Sequence, residues 1–301
     1  MNVTMTGASG FLGSRVIQKL LDGGHSVHVL GRKQTADLPV SVAFSEWNTA
    51  TEPPPESLAD ARAVIHLAGE PVAQRWTPET KLRIRNSRVE GTRHLINALS
   101  VLPRRPGVLV CASAIGIYGS RGDEVLAESS SAGGSDFLSR LVIEWENAAQ
   151  LGEALGIRVV RLRLGVVLGQ GGALAKMLPP FRLGVGGRIG SGRQWMSWIH
   201  IEDAANLVLF AIENPLLHGP VNATAPNPVT NREFTRELAA ALHRPAVLPV
   251  PRVALRLLFG EMSDVVLASQ RVVPQSAERA GFHFQYPELA PALANVLARR
   301  D

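Results

Sequence analysis

The sequence predicts an α/β fold, a doubly wound parallel sheet followed by a smaller, mixed C-terminal lobe. Three observations lead there. Short apolar, β-branched runs alternate with longer segments of helical periodicity up to about position 168. Three glycines spaced by three sit between the first such run and the first helical segment. Beyond Gly169 the alternation gives way to glycine-rich stretches and shorter amphipathic segments. A sheet domain is therefore expected over 1–168 and a second lobe over 169–301, with elements of the second returning to the main sheet.

Taken in order, NVTMT (2–6) is a strand, and a helix follows from about 11 to 21. SVHVL (26–30), SVAFS (41–45) and AVIHL (63–67) are strands. TPET (77–80) opens a long helix: Thr77 can accept a hydrogen bond from the first turn, and Pro78 suits a position that needs no N–H donor. Val89, Thr92, Ile96 and Leu99 recur at spacings of three and four and give that helix one buried face. GVLVCAS (107–113) is a strand, 135–152 a helix, and IRVVRLRLGVVL (157–168) a further strand run. Such alternation calls for parallel pairing through right-handed crossovers.

Downstream, GQGGALAKM and LGVGGRIGSG read as loops. WMSWIHIEDAANLVLFAIE (195–213) reads as a short strand running into a helix, with Glu202 or Asp203 at its dipole-positive start. TNREF (230–234) has the capping-box spacing of Thr230 and Glu233. The tail from about 251 is helical and ends in a helix begun by Pro287.

The chain has 301 residues, 46% of them hydrophobic and 19% charged, which fits a buried core and excludes global disorder. The net charge is +5, but the basic residues are scattered and aromatics make up only 5%. Both features argue against a nucleic-acid partner, which would have to rely on the arginine-rich stretch 81–93. Cys111 is the single cysteine, so no internal disulfide forms, and within VLVCAS it reads as a small core residue. No pair of His or Cys residues has metal-ligand spacing. MNVTMTGASG lacks the basic and apolar segments of a signal peptide, and no apolar run approaches the ~18 residues of a membrane helix. The expectation is a cytoplasmic protein, or one of an organelle lumen after loss of a transit peptide, without a membrane partner.

VTMTGASGFLGSRVIQKLL places Gly7, Gly10 and Gly13 at a strand–helix turn. Glycine first permits the tight turn, glycine second lets the backbone approach a pyrophosphate, and glycine third allows close helix–strand packing. The following helix aims free N–H groups and its positive end at the phosphates. At the end of the second strand, VLGRK carries Arg32 and Lys33 where an NAD site would carry an acid. This pair suits a 2′-phosphate and favours NADP(H); the other reading is two solvated loop charges. In HLAGE (66–70), Ala68 and Gly69 would let the chain run close beneath such a cofactor.

The GxxGxxG spacing resembles the extended branch of the short-chain dehydrogenase/reductases. HLAGEPVAQRWTPETKLRIRNSRVEGT (66–92) resembles the hallmark of one family within it, the epimerase-like proteins of the 39U type. RLGVVLGQGGALAKMLPPFRLGVGGRIGSG, SWIHIEDA, GPVNATAPNPVTN and the tail PRVALRLLFGEM with GFHFQYPELAPAL match it too. The resemblance spans essentially the whole chain. It implies a Rossmann-like sheet, NADP(H) binding over 1–168, a substrate lobe with a family-specific C-terminal segment over 169–301, and a nucleotide sugar as substrate. It also implies a homodimer through the helices near 78–100 and 135–152. By the same resemblance Gly7, Ser9, Gly10, Phe11 and Leu12, with Gly13, line the pyrophosphate, and Arg32 with Lys33 meets the adenosine phosphate. Leu67, Ala68, Gly69 and Glu70 lie on the ribose–nicotinamide side. Arg75, in the motif RW with Trp76, either reaches toward the cofactor or anchors its loop.

Hydride transfer at a sugar carbon needs a proton donor or acceptor beside the reacting oxygen. Extended-branch relatives use a tyrosine, a lysine four residues later and an assisting serine or threonine. Ser113, at the end of GVLVCAS, is the candidate serine; it could equally satisfy a strand-end backbone group. No Y-x-x-x-K occurs: Tyr118 and Tyr286 are followed four residues later by Gly122 and Ala290. The helix expected to carry the pair has Phe137, Leu138, Ser139, Arg140, Leu141 and Val142. Tyr118 is the substitute candidate, with core packing as its other reading, and His200 is either a base or a loop-ordering ring. Two functions follow: an NADP(H)-binding epimerase-like oxidoreductase lacking the usual pair, or a non-catalytic NADP(H)-dependent binding or sensor protein.

Overall fold

The computed structural model describes residues 1–34 and 38–298. Its strands are β1 (Asn2–Thr6), β2 (Ser26–Gly31), β3 (Ala43–Glu46), β4 (Ala63–His66), β5 (Val108–Ala114), β6 (Val125–Leu126), β7 (Arg158–Leu164), β8 (Val166–Leu168), β9 (Trp195–Met196), β10 (Trp198–His200), β11 (Gly219–Ala223), β12 (Val229–Thr230) and β13 (Arg271–Val272). Seven of them form one sheet in the order β11-β7-β5-β4-β1-β2-β3, every pairing parallel. The chain leaves β1 toward β2 on one side and returns to β4 on the other. A crevice therefore opens outside the carboxyl ends of β1 and β4, as in Rossmann-like sheets.

The helices are α1 (Phe11–Asp22), α2 (Pro78–Ser100), α3 (Phe137–Gln150), α4 (Gly172–Arg182), α5 (Ile201–Glu213), α6 (Asn231–Ala241), α7 (Arg252–Phe259), α8 (Ser263–Leu267), α9 (Gln275–Arg279) and α10 (Leu289–Ala298). One sheet face packs Val3, Met5 and Val110 against Val16 and Leu20 of α1 and Leu207 and Val208 of α5. The other packs Val64 and Leu109 against Ile84, Leu95 and Leu99 of α2 and Trp145 of α3. Local chemistry starts these helices where the sequence places them. Thr77 accepts from Thr80 N at 3.2 Å before α2, Asp136 accepts from Ser139 N at 3.0 Å before α3, and Thr230 and Glu233 complete a capping box on α6.

Two segments depart from the sequence expectation. The run 157–168 is not one strand but two, broken at Gly165. Gly165 N still donates to Ala223 O at 3.1 Å, while β8 turns away to pair with β10. A Cβ at 165 would lie 2.7 Å from Ser197 O, so glycine is what lets the two backbones cross. The stretch GQGGALAKM is not wholly a loop, because α4 begins at Gly172. Burial of Leu174, Leu178 and Phe181 in the C-terminal core, beside Trp198, Phe234 and Leu293, outweighs the poor helix propensity of its glycine and prolines.

The C-terminal region is stitched back to the sheet at several points. α5 and β11 lie in its layers, and β13 pairs with β6. Asp203, fully buried, accepts from Gln285 N at 2.8 Å and Tyr286 N at 2.9 Å. Burial raises its carboxyl pKa, and those two N–H groups work against the rise.

Candidate functional site

At the mouth of the crevice β1 gives way to Gly7, with φ at +74°. A Cβ on Gly7 would lie 2.6 Å from the carbonyl carbon of Leu67 and 2.7 Å from Ala68 N, so the turn after β1 and the loop after β4 touch backbone to backbone. A Cβ on Gly13 would fall 2.1 Å from Gly7 O, which sets how closely α1 packs on the strand end. Gly10 N donates to Gly7 O at 3.0 Å, and Gly10 caps α1 without a side-chain hydrogen bond. The first helical bond runs from Ser14 N to Gly10 O at 2.9 Å. The N–H groups of Phe11, Leu12 and Gly13 thus precede any intrahelical acceptor and point out of the helix start. This cradle, without a side-chain cap and at the positive end of a helix, fits a pyrophosphate.

Phe11 and Leu12 bring backbone rather than side chains to that cradle. The Phe11 ring lies in a bowl of glycines: Cβ atoms on Gly169, Gly171 and Gly172 would come within 2.6, 2.6 and 3.0 Å of it. Leu12 packs into the core, and Ser9 is exposed on the turn. Arg32 and Lys33 follow directly on β2, next to β1 in the sheet, and both are exposed.

The crevice floor is a buried hydrogen-bond chain. Thr6 Oγ1 accepts from Ala68 N at 3.1 Å and lies 2.8 Å from His66 Nδ1; His66 Nε2 lies 3.1 Å from Thr92 Oγ1, which also accepts from Trp145 Nε1 at 3.1 Å. Burial, reinforced by the Arg88 charge, pushes the His66 pKa down to about 4, so the ring is neutral near pH 7. The loop above it rests on α2. Ser87 Oγ accepts from Glu70 N at 2.9 Å, and Arg88 Nη1 donates to Glu70 O at 2.8 Å. A Cβ on Gly69 would lie 3.0 Å from the Arg88 guanidinium carbon. Arg88 also lies over the Trp145 ring at 5.2 Å. Burial lowers its pKa to about 10 against the pull of Glu70, and it remains a cation. Its place under this loop is not marked in a stretch that holds several arginines. Arg75 is exposed, whereas Trp76 ties its loop, donating to Val72 O at 2.9 Å and meeting the Phe137 ring edge-on at 5.0 Å.

Ser113 and Tyr118 come together in one buried network. Ser113 Oγ donates to Glu146 Oε1 at 2.6 Å, and Arg163 grips the same carboxylate through Nε at 2.8 Å and Nη2 at 2.9 Å. Arg163 Nη1 donates to the Tyr118 hydroxyl at 2.7 Å, and that hydroxyl donates to Asn222 Oδ1 at 2.8 Å. Ser113 is 3% exposed and Tyr118 0%. Burial raises the Tyr118 pKa, with Arg163 opposing. Both hydroxyls are committed to interior partners. On α3, Leu138 and Val142, four apart, pack on the turn Ile115–Tyr118, where a Cβ on Gly116 would be 2.7 Å from Leu138. His200 caps α5, its Nδ1 accepting from Glu202 N at 3.1 Å, and its ring stacks on Tyr286 at 3.9 Å. Neither the Glu146–Arg163 pair nor the Asp203 anchor was evident from sequence spacing.

Residues 3–222 match the model of the NAD dependent epimerase/dehydratase family, and residues 250–296 match a domain of unknown function, DUF1731. The epimerase family protein YfhF of Bacillus subtilis (strain 168) is 40% identical over 300 residues, covering 100% of this chain and 99% of that one. The epimerase family protein SDR39U1 of Mus musculus is 39% identical over 304 residues, covering 99% and 100%. Among solved structures, human SDR39U1 (isoform 2) with NADPH superposes with a TM-score of 0.90 at 35% identity over the whole of both chains. UDP-glucose 4-epimerase of Thermus thermophilus, in complex with NAD, shares the fold at a TM-score of 0.80 and 21% identity over 99% of this chain and 98% of that one. Strand order, glycine turn and full-length similarity agree, and the chain belongs to the NAD dependent epimerase/dehydratase family, among its SDR39U1-type epimerase family proteins.

Proposed function

We propose that this chain is an NADP(H)-binding, epimerase-type oxidoreductase that acts on a nucleotide sugar in the cytoplasm. The observation that carries the cofactor is the cradle in which Gly7 and Gly13 leave no room for a Cβ and three helix-start N–H groups face outward. In this reading Gly7, Ser9, Gly10 and Gly13, with the N–H groups of Phe11 and Leu12, hold the pyrophosphate. Arg32 and Lys33 hold the 2′-phosphate, and Leu67, Ala68, Gly69, Glu70 and Arg75 lie on the nicotinamide side. The NADPH in the human relative supports the choice of cofactor, and the likeness to the nucleoside-diphosphate sugar epimerase of Corynebacterium glutamicum, at 34% identity and a TM-score of 0.80 over 99% of this chain and 58% of that one, supports the substrate. When bound, the nicotinamide supplies or accepts a hydride. A homodimer through α2 and α3 belongs to the same reading and is checked by light scattering.

Fluorescence titration tests the cofactor. NADPH should bind ~10–100-fold more tightly than NADH, the range of a charge-assisted contact to a phosphate, and Arg32→Asp should erase the preference. Equal affinities in the unaltered protein would remove NADP(H) from the proposal.

One observation favours a second reading, an NADP(H)-dependent binding or sensor protein without turnover. The hydroxyls of Ser113 and Tyr118 are spent on Glu146, Arg163 and Asn222, and Leu138 and Val142 are apolar. Here Ser113→Ala and Tyr118→Phe leave NADPH binding and the cellular phenotype intact, while Gly10→Asp abolishes both. Turnover of any sugar nucleotide rules this reading out.

A further inference from the structure

The loop after β4 is backed by a guanidinium whose charge has no matching anion. A Cβ on Gly69 would lie 3.0 Å from Cζ of Arg88, 3.1 Å from Nη2 and 3.2 Å from Nη1, so glycine is what lets the cation come against the loop backbone. Arg88 donates through Nη1 alone, to Glu70 O at 2.8 Å and Ile84 O at 3.4 Å, both uncharged carbonyls. Its Cζ lies over the Trp145 ring at 5.2 Å. Among the described residues Nε and Nη2 have no partner, and no carboxylate pairs with Arg88. The carboxylate whose charge acts on it is that of Glu70, which lies 3.9 Å from Arg83 Nε and 3.3 Å from Gln74 Nε2 instead. Glu90 and Glu144 are taken up by Arg85, and Glu146 by Arg163. The same loop touches Gly7 through Leu67 and Ala68, so one layer of backbone lies between Arg88 and the glycine turn.

A fixed charge beside a binding site separates ligands that share a shape and differ in charge. The two states of a nicotinamide cofactor are such ligands: the oxidised ring carries a positive charge and the reduced ring none. A guanidinium keeps its proton throughout the neutral range, so its field there is constant. We infer that Arg88 makes the crevice select the reduced cofactor, holding NADPH in preference to NADP+. The inference rests on the NADP(H) reading above and adds to it a choice of redox state. A tenfold preference raises the potential of the bound two-electron couple by about 30 mV, so the site gives up a hydride less readily than free NADPH does. A chain with this preference fills according to the ratio of reduced to oxidised cofactor around it.

The experiment is calorimetric titration of the full chain with NADPH and with NADP+. Adenosine 2′,5′-bisphosphate, which lacks the nicotinamide, serves as a third probe. The unaltered protein should bind NADPH at least ~10-fold more tightly than NADP+. Arg88→Met fills much of the same space without the charge, and should bring the two affinities within about threefold of each other. Its affinity for the bisphosphate should stay as it was. Glu70→Gln removes the opposing charge, leaves the two backbone bonds of Glu70 in place, and should raise the preference at least ~3-fold. This variant decides the matter if Arg88→Met does not fold. Arg93→Gln, an exposed position on the same helix, removes a like charge and should leave the ratio unchanged. Equal affinities in the unaltered protein, or an unchanged ratio in Arg88→Met or Glu70→Gln, overturn the inference and leave the cofactor reading standing. Failure of both NADPH and NADP+ to bind removes that reading and the inference with it.

Discussion

The carboxyl ends of β1 and β4 and the carboxyl end of β5 are neighbours in one sheet, yet they are built in opposite ways. At β1 and β4 the surface is backbone: Gly7 touches Leu67 and Ala68 with no space for a methyl group, and the start of α1 carries no side-chain cap. At β5 the surface is side chain. Ser113, Tyr118, Glu146 and Arg163 close on one another, and Leu138 and Val142 cover the adjoining turn. A ligand site made of backbone tolerates almost no substitution, because any Cβ collides. A proton-transfer site made of side chains can be exchanged for packing while the fold persists. That difference fits a chain that has a glycine turn at the mouth of its crevice and no Y-x-x-x-K in its sequence.

Gly13→Ala puts a carbon 2.1 Å from Gly7 O, and we expect it to cost more than about 4 kcal/mol in urea unfolding and to abolish NADPH binding. Near-native stability with intact binding would mean that the cradle is not set by backbone contact. On the β5 side, Glu146→Gln keeps an acceptor for Ser113 but leaves the Arg163 charge buried without its counter-ion. The expected loss is about 3 kcal/mol, with NADPH affinity of the folded protein within about twofold of the original. A large fall in affinity at full stability would instead give the network a direct role at the ligand.

The smallest effect sharpens the floor the two regions share. The folded His66 pKa of about 4 lies below its ordinary value of 6.5. Its contribution to stability is therefore full above pH 6.5 and is lost as pH falls toward 4, when the unfolded chain takes up a proton that the folded one refuses. The loss amounts to about 2–3 kcal/mol by pH 4.5. Urea unfolding from pH 7.5 to 4.5 should show it, and His66→Gln should flatten that part of the profile. An unchanged slope in the variant would show that His66 is not the group responsible.

Features fixed within a few residues were legible in the sequence. The glycine turn, the Thr77 cap and the Thr230–Glu233 capping box all lie where local spacing put them. Features made by distant partners were not. Gly165 looked like any residue in an apolar run until Ser197 crossed it, and α4 is helical because its apolar face finds a core. That Ser113 and Tyr118 are polar groups near a strand end is visible in the sequence. Their partners, Glu146, Arg163 and Asn222, are not, because spacing says nothing about meetings between residues 33 to 104 positions apart. The same holds for Arg88, which meets the Glu70 carbonyl and the Trp145 ring only once three segments have folded together.

Asp203 bears on how the chain can come apart. Its carboxylate is satisfied by two backbone N–H groups contributed by residues 285 and 286, while the aspartate itself sits on a helix packed against α1. Peeling away the C-terminal segment would strand that carboxylate in the interior, at a cost comparable to breaking a buried ion pair. The tail is thus a keystone rather than an appendage. The sheet and the C-terminal segment should melt in one cooperative transition, and shortening the chain before residue 285 should unsettle the sheet on which that segment is laid.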